Sequence, residues 1–274
     1  MPPNSPAAAV GVVLANLGTP DEPTLPAVQR YLREFLSDRR IVDLSPVIWK
    51  PILETSIMHG HAKLSTAKYA SVWYPDGSPL LVHARAQAAA VAAALGAQCV
   101  APGVREEIVT PDVSVAAGAG VAVGAGSAGD LGAAGAGGPG SRVSVTYGMR
   151  YGTPSLATAL DTLRAAGAGR LLIVPLYPQF STTTTATVID ALGAWCREAW
   201  DLPELRWVRS WATDAGYVEA CARRIEACWE EWGRPDFARG DKLLLSYHGI
   251  PVTYVAAGDP YPRECEATTD LLRA

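Results

Sequence analysis

The run Ala9-Val10-Gly11-Val12-Val13-Leu14-Ala15-Asn16-Leu17-Gly18-Thr19-Pro20 decides the fold class. Small and β-branched apolar residues follow one another without polar alternation, which fits a strand covered on both faces, as in the interior of a parallel sheet. Asn16, Gly18, Thr19 and Pro20 then end it in a tight loop. Gly18 allows the backbone there to turn or to approach a ligand closely.

Working outward, Val28, Tyr31, Leu32, Phe35 and Leu36 fall at helical spacing with Arg30, Arg33, Glu34 and Asp38 opposite, so a helix follows the first strand. Residues 41–44 suit a short strand, and the Trp- and aliphatic-rich residues 46–53 fit either core or an exposed apolar lip. Ser78-Pro79 opens a helix to Leu95, with proline in the first turn where its missing N–H costs little. From Asp112 to Arg142, 19 of 31 residues are Gly or Ala and none is aromatic. That composition cannot offset the entropy of ordering, and the segment is expected to be a flexible surface insertion. Strands are then expected at 143–147, 170–175, 204–208 and 242–247, with helices through Leu156–Leu163, Val188–Trp195 and Asp214–Trp232 between them. Alternating strand and helix implies an α/β protein with parallel sheets and right-handed crossovers. Two doubly wound lobes are expected, the second beginning near Leu156.

Composition narrows the partners. Charged residues make up 18% and apolar ones 49%, and the net charge is -4. A general nucleic-acid binder needs a basic face, so nucleic acid is excluded as a partner. No apolar run reaches the roughly 20 residues of a membrane span, and Met1-Pro2-Pro3-Asn4-Ser5-Pro6 lacks a basic leader, so a cytoplasmic location is expected. The five cysteines are scattered without a C-x-x-C pair. Cys221 and Cys228 share a helix face with Ile225 and Trp229, which reads as packing; Cys265 is open to either reading. With four histidines and no H-x-x-x-H pair, a fixed metal ion is not indicated, and His59 and His61 read as surface residues. There is no phosphate-binding glycine motif and no G-x-S-x-G elbow.

Ligands of open α/β sheets collect at the carboxyl ends of strands. Candidate groups occupy these ends: Asn16 to Thr19, Arg150 and Tyr151, Tyr177 to Ser181, and His248 after Asp241-Lys242-Leu243-Leu244-Leu245-Ser246-Tyr247. A cleft lined by them would be aromatic, weakly basic and rich in hydroxyls, suited to a flat apolar ligand carrying a few carboxylates. Each hydroxyl of Ser181 to Thr184 equally suits simple helix capping.

Six blocks in order resemble ferrochelatase: Leu14 to Pro20, Arg33 to Asp38, Gly77-Ser78-Pro79-Leu80 with Gln87, Met149 to Ser155, Pro175 to Thr184, and Ser246 to Pro251. The resemblance spans the chain apart from the Gly/Ala insertion. It implies two Rossmann-like lobes around a porphyrin cleft: an N-terminal chelatase lobe over 1–155, carrying the insertion 112–142, and a second lobe over 156–274. It further implies insertion of ferrous iron into protoporphyrin or coproporphyrin, with ferrous iron as substrate and no permanently bound cofactor. His248 matches the histidine that accepts a pyrrole proton or binds the incoming metal. Arg150 and Tyr151 would hold the macrocycle, Arg150 through a propionate; Tyr177, Phe180 and Ser181 would line it, Phe180 standing where the family often has tyrosine. Residues 49–58 resemble the family's apolar lip, for which transient contact with a membrane surface is an expectation. The family's catalytic glutamate has no counterpart before Ala274, so an incomplete second lobe and little turnover are expected of these residues. A non-catalytic porphyrin-binding protein and a cobalt or nickel tetrapyrrole chelatase are the competing readings.

Overall fold

The computed structural model describes residues 9–103 and 143–273. In chain order these form β1 (Ala9–Thr19), α1 (Leu25–Leu36), α2 (Pro46–Ile52), a π-helical segment (Leu53–His61), α3 (Ala62–Val72), α4 (Pro79–Ala94) and β2 (Gln98–Cys99). Then come β3 (Val143–Gly152), α5 (Leu156–Ala165), β4 (Ala168–Pro175), α6 (Thr185–Glu198), β5 (Glu204–Trp207) and α7 (Ala215–Trp232). A 3-10 turn (Phe237–Arg239), α8 (Val252–Ala256) and α9 (Tyr261–Arg273) complete the order. The strands form one parallel sheet in the order β2-β3-β1-β4-β5, flanked by helices. The α/β class read from the sequence is therefore the observed one. Contacts divide the chain into two compact units, Met1–Val174 with Ala191–Trp207, and Pro175–Asp190 with Val208–Ala274.

The sheet belongs to the first unit, and β1 explains it. Residues 11–15 of β1 are buried without interruption, as a strand covered on both faces requires. Helix α4 packs on β1, β2 and β3 through Ala84, Ala88 and Ala92, whose four-residue spacing makes a flat stripe that lets the helix come close. Ser78 caps it by accepting from the Leu81 N–H at 3.2 Å. Helix α5 contributes Leu156, Ala159, Leu160 and Leu163 to the same core. On β3 the polar positions of the alternation, Ser144 and Thr146, are buried as well; the Thr146 hydroxyl donates to the Val100 carbonyl at 2.7 Å.

Residues 46–58 divide between the two readings left open for them. Leu53 and Met58 are buried at 1% exposure, while Val47 and Ile48 of α2 stand 83% and 60% exposed. The Trp49 indole donates to the Leu36 carbonyl at 2.7 Å and ties α2 to the end of α1.

Two expected strands are not formed. Residues 41–44 make a turn, with the Ile41 and Val42 N–H groups both donating to the Asp38 carbonyl at 3.0 Å. Residues 242–247 have no regular structure, and Leu243, Leu244 and Leu245 are 42%, 83% and 37% exposed. A strand needs a neighbour to take its N–H and C=O groups. Among the described residues none pairs with this segment. The expected Gly/Ala insertion lies outside the described residues.

Gly18 does what the sequence allowed, but for another strand rather than a ligand. It has φ +117° and pairs with Tyr151 on β3, and a Cβ built there would sit 1.8 Å from the Tyr151 carbonyl oxygen. Gly18→Ala is expected to lower unfolding free energy by about 2–4 kcal/mol, combining a left-handed backbone with a clash. Gly60→Ala, where the added methyl meets nothing within 4 Å, is expected to change it by less than about 1 kcal/mol. Urea denaturation of both variants checks the contrast.

Candidate functional site

In the first unit, Arg150 and Tyr151 lie at the carboxyl end of β3 and converge on one carboxylate. Arg150 Nη2 meets Asp38 Oδ2 at 2.6 Å, and the Tyr151 hydroxyl donates to the same oxygen at 2.9 Å. The guanidinium also lies over the Tyr151 ring, 4.3 Å from its centroid. The ion-paired side chains of Arg150 and Asp38 are only 17% and 12% exposed, and Tyr151 is 1% exposed. Buried Arg150 Nε has no hydrogen-bond partner among the described residues. Asp38 is itself fixed just beyond α1, where its Oδ1 accepts the Arg40 N–H at 2.8 Å. About one turn earlier, Glu34 Oε2 accepts the Gly152 N–H at 2.9 Å. Phe35 packs edge-on against Tyr151 at 5.1 Å. The end of α1 thus holds the end of β3 through two carboxylates and a ring.

The remaining candidates belong to the second unit. Tyr177 and Phe180 are half-buried in the loop after β4, and the Arg209 guanidinium lies over the Phe180 ring at 4.4 Å. Ser181 is 1% exposed. Its hydroxyl donates to Asp259 Oδ2 at 3.0 Å and accepts the Thr183 N–H at 3.2 Å, so it braces the loop from within. Asp259 Oδ2 also accepts the Thr182 N–H at 2.7 Å, and Oδ1 accepts the Tyr261 N–H at 3.0 Å. Burial pushes the Asp259 carboxyl upward, but the bonds from Thr182, Tyr261 and Ser181 outweigh it and hold the group below the usual aspartate range. Glu264 of α9 accepts from the Phe180 N–H at 2.7 Å and from the Ser210 hydroxyl at 2.6 Å.

His248 is exposed, in the irregular segment before Pro251. Its Nδ1 lies 2.6 Å from the Gly249 carbonyl oxygen. A carbonyl only accepts, so Nδ1 carries the hydrogen and the neutral ring presents its lone pair at Nε2. Nearby, burial and the neighbouring Cys265 push the Tyr261 phenol up to about 12. Cys265 is buried at 7% exposure, and its thiol is pushed upward chiefly by that burial. It is a packed thiol rather than a nucleophile. Among the described residues no group of three or more His, Cys, Asp or Glu converges as a metal site.

A protein-family model described as Ferrochelatase matches residues 9–110 and 130–274. The chain belongs to the ferrochelatase family. A protein of this family is a tetrapyrrole metal chelatase, an enzyme acting on a porphyrin and a metal ion. The match takes in both loops just described. No helix among the described residues is long and apolar enough to cross a membrane.

Three residues that organise these ferrochelatase-family loops carried no role in the sequence reading: Asp38, Asp259 and Glu264. Asp38 closes the quoted block Arg33 to Asp38, and Asp259 begins Asp259-Pro260-Tyr261-Pro262, but their partners lie 112 and 78 positions away.

Asp38→Asn keeps the shape and removes the charge beside a mostly buried guanidinium, so unfolding free energy is expected to fall by about 2–3 kcal/mol. A urea midpoint equal to that of the parent chain would refute the pairing. Because the folded pKa of Asp259 is depressed, its contribution is complete above the unfolded aspartate value of about 3.9 and is lost as pH falls through the lower folded value. The stability difference between the parent chain and Asp259→Asn is therefore expected to be constant above about pH 5 and to shrink in more acidic solution.

Proposed function

We propose that this chain is a ferrochelatase of haem biosynthesis, inserting ferrous iron into protoporphyrin or coproporphyrin. The reaction removes two pyrrole protons as one divalent ion enters, so charge balances without a redox step and without a resident cofactor. What it needs from the protein is a proton acceptor or metal-delivering group, anchors for the carboxylated rim, and apolar contact with the ring.

His248 is the proposed acceptor or metal-delivering group. The observation that carries this is the Nδ1 hydrogen bond to Gly249, which leaves Nε2 with its lone pair in the neutral ring. Arg150 is proposed to pair with a propionate, exchanging the Asp38 carboxylate for that of the substrate; the two anions offer the same geometry to its fork. Tyr151 supports that guanidinium from below. Tyr177 and Phe180 are proposed to contact the ring, and Ser181 to hold their loop in shape. In this reading the lobes are residues 1–155 and 156–274, the protein works in the cytoplasm, and exposed Val47 and Ile48 give it transient contact with a membrane surface.

Anaerobic mixing of chain, porphyrin and ferrous iron is followed by loss of the free-base absorbance bands. His248→Ala is expected to slow insertion by at least about 100-fold while porphyrin affinity, read by fluorescence quenching, changes less than about threefold. Insertion at the parent rate in that variant would remove His248 from the chemistry.

A further inference from the structure

We infer that a cavity at the β2 edge of the sheet is a binding site for a small carboxylate with an apolar body, separate from the residues assigned to the porphyrin. The cavity has a volume of about 470 Å³, within the range of small-molecule sites, and its lining belongs wholly to the first unit. It arises because β2 is short and pairs with β3 only at Ser144 and Val145. The Val100 N–H still donates to the Val145 carbonyl at 2.8 Å, and farther along β3 the Pro154 carbonyl takes the Met149 N–H at 2.8 Å. Tyr147 stands between these two crossings, and no described strand flanks it on that side. The gap is walled by Ala89 of α4, Cys99, Ala101, Pro102 and Pro154, all small or apolar.

Two side chains give the cavity its chemistry, Arg85 of α4 and Tyr147. Arg85 Nε donates to the Tyr147 hydroxyl at 3.2 Å. A guanidinium has no acceptor, so the phenol oxygen receives that bond and its own hydrogen is left to donate elsewhere. Among the described residues nothing takes that hydrogen, and no carboxylate pairs with Arg85. Tyr147 is only 8% exposed, which makes an unmatched donor there costly. Burial pushes the Cys99 thiol upward, so the cavity supplies no anion of its own. The occupant that satisfies these groups brings paired acceptor oxygens and a negative charge to the guanidinium fork, and an apolar body to the walls. Inorganic phosphate has the oxygens without the body, and a neutral aromatic has the body without the charge. None of the residues given a role under the proposed function lines this cavity.

The test uses the whole chain with sodium benzoate as the probe, and benzamide and inorganic phosphate as comparisons. Saturation transfer from protein to the benzoate ring protons reports binding. Protection of Cys99 from iodoacetamide, read by mass spectrometry against exposed Cys228, reports where it binds. Benzoate at about 10 mM is expected to slow alkylation of Cys99 at least about threefold, as a millimolar Kd requires, and to leave Cys228 unchanged. Arg85→Gln, at an exposed position, is expected to abolish both transfer and protection while the urea midpoint stays at the parent value. Tyr147→Phe is expected to weaken binding severalfold. Benzoate transfer that persists undiminished in Arg85→Gln, or equal protection of Cys99 by benzamide or phosphate, would overturn the inference. If protoporphyrin protects Cys99 as benzoate does, the cavity is part of the porphyrin cleft and the separate site is wrong.

Discussion

The first unit depends on the backbone contact between β1 and β3 at Gly18 and Tyr151. Hydrogen is the only side chain that fits there, because any Cβ would fall 1.8 Å from the Tyr151 carbonyl oxygen. That closeness locks the register Asn16↔Met149 and Gly18↔Tyr151. It sets where the helix after β1 meets the end of β3. Tyr31 of α1 donates to the Gly18 carbonyl at 3.2 Å; burial and the nearby Tyr69 and Tyr151 push its phenol up, so it remains a donor. One turn on, Phe35 packs against Tyr151, and beyond the helix end Asp38 takes Arg150 and Tyr151. A one-residue slip of the strands would send these side chains to the opposite face and undo every contact in the series.

Both units solve the same physical problem with the same device. A loop at the end of a strand has N–H groups and hydroxyls that the sheet does not satisfy, and each unit supplies carboxylates from distant elements to receive them. Glu34 and Asp38 serve the end of β3; Asp259 and Glu264 serve the loop after β4. Charged acceptors make stronger bonds than neutral ones, which suits loops that must keep their shape. In the first unit the device has a second consequence. The Asp38 carboxylate orients the Arg150 side chain, so that in the proposed reading a propionate would meet a pre-oriented guanidinium rather than a mobile chain.

Local pattern was enough to read β1, α1, α4, α5 and β4, because each advertises itself through burial period, a first-turn proline or a cap. Ser78-Pro79 is the clearest, with the serine accepting from Leu81 as its position implies. The leucines at 243–245 misled for a physical reason: an apolar run specifies a strand only when another strand stands beside it, and periodicity carries no information about the neighbour. His248, Arg150 and Tyr151 were singled out by their place after apolar runs and by the family resemblance, and of these only Arg150 and Tyr151 stand at the end of a formed strand. Asp38 and Asp259 were not, since a surface-type residue in a loop gives no sign of a partner 112 or 78 positions away. Ser181 was legible as a hydroxyl near a helix start, but its burial beneath Asp259 required the fold.

A tetrapyrrole chelatase must do more than hold a flat ring, because a planar macrocycle keeps its nitrogen lone pairs and N–H groups in the plane, away from an incoming ion. Binding that bends the ring exposes them, and the binding energy of rim and faces supplies the strain. The most direct measurement is the resonance Raman spectrum of a metal-free porphyrin bound to the whole chain. Out-of-plane modes absent from the free porphyrin are expected to appear on binding. A bound porphyrin whose spectrum remains that of the planar free base would contradict the chelatase chemistry proposed for this chain.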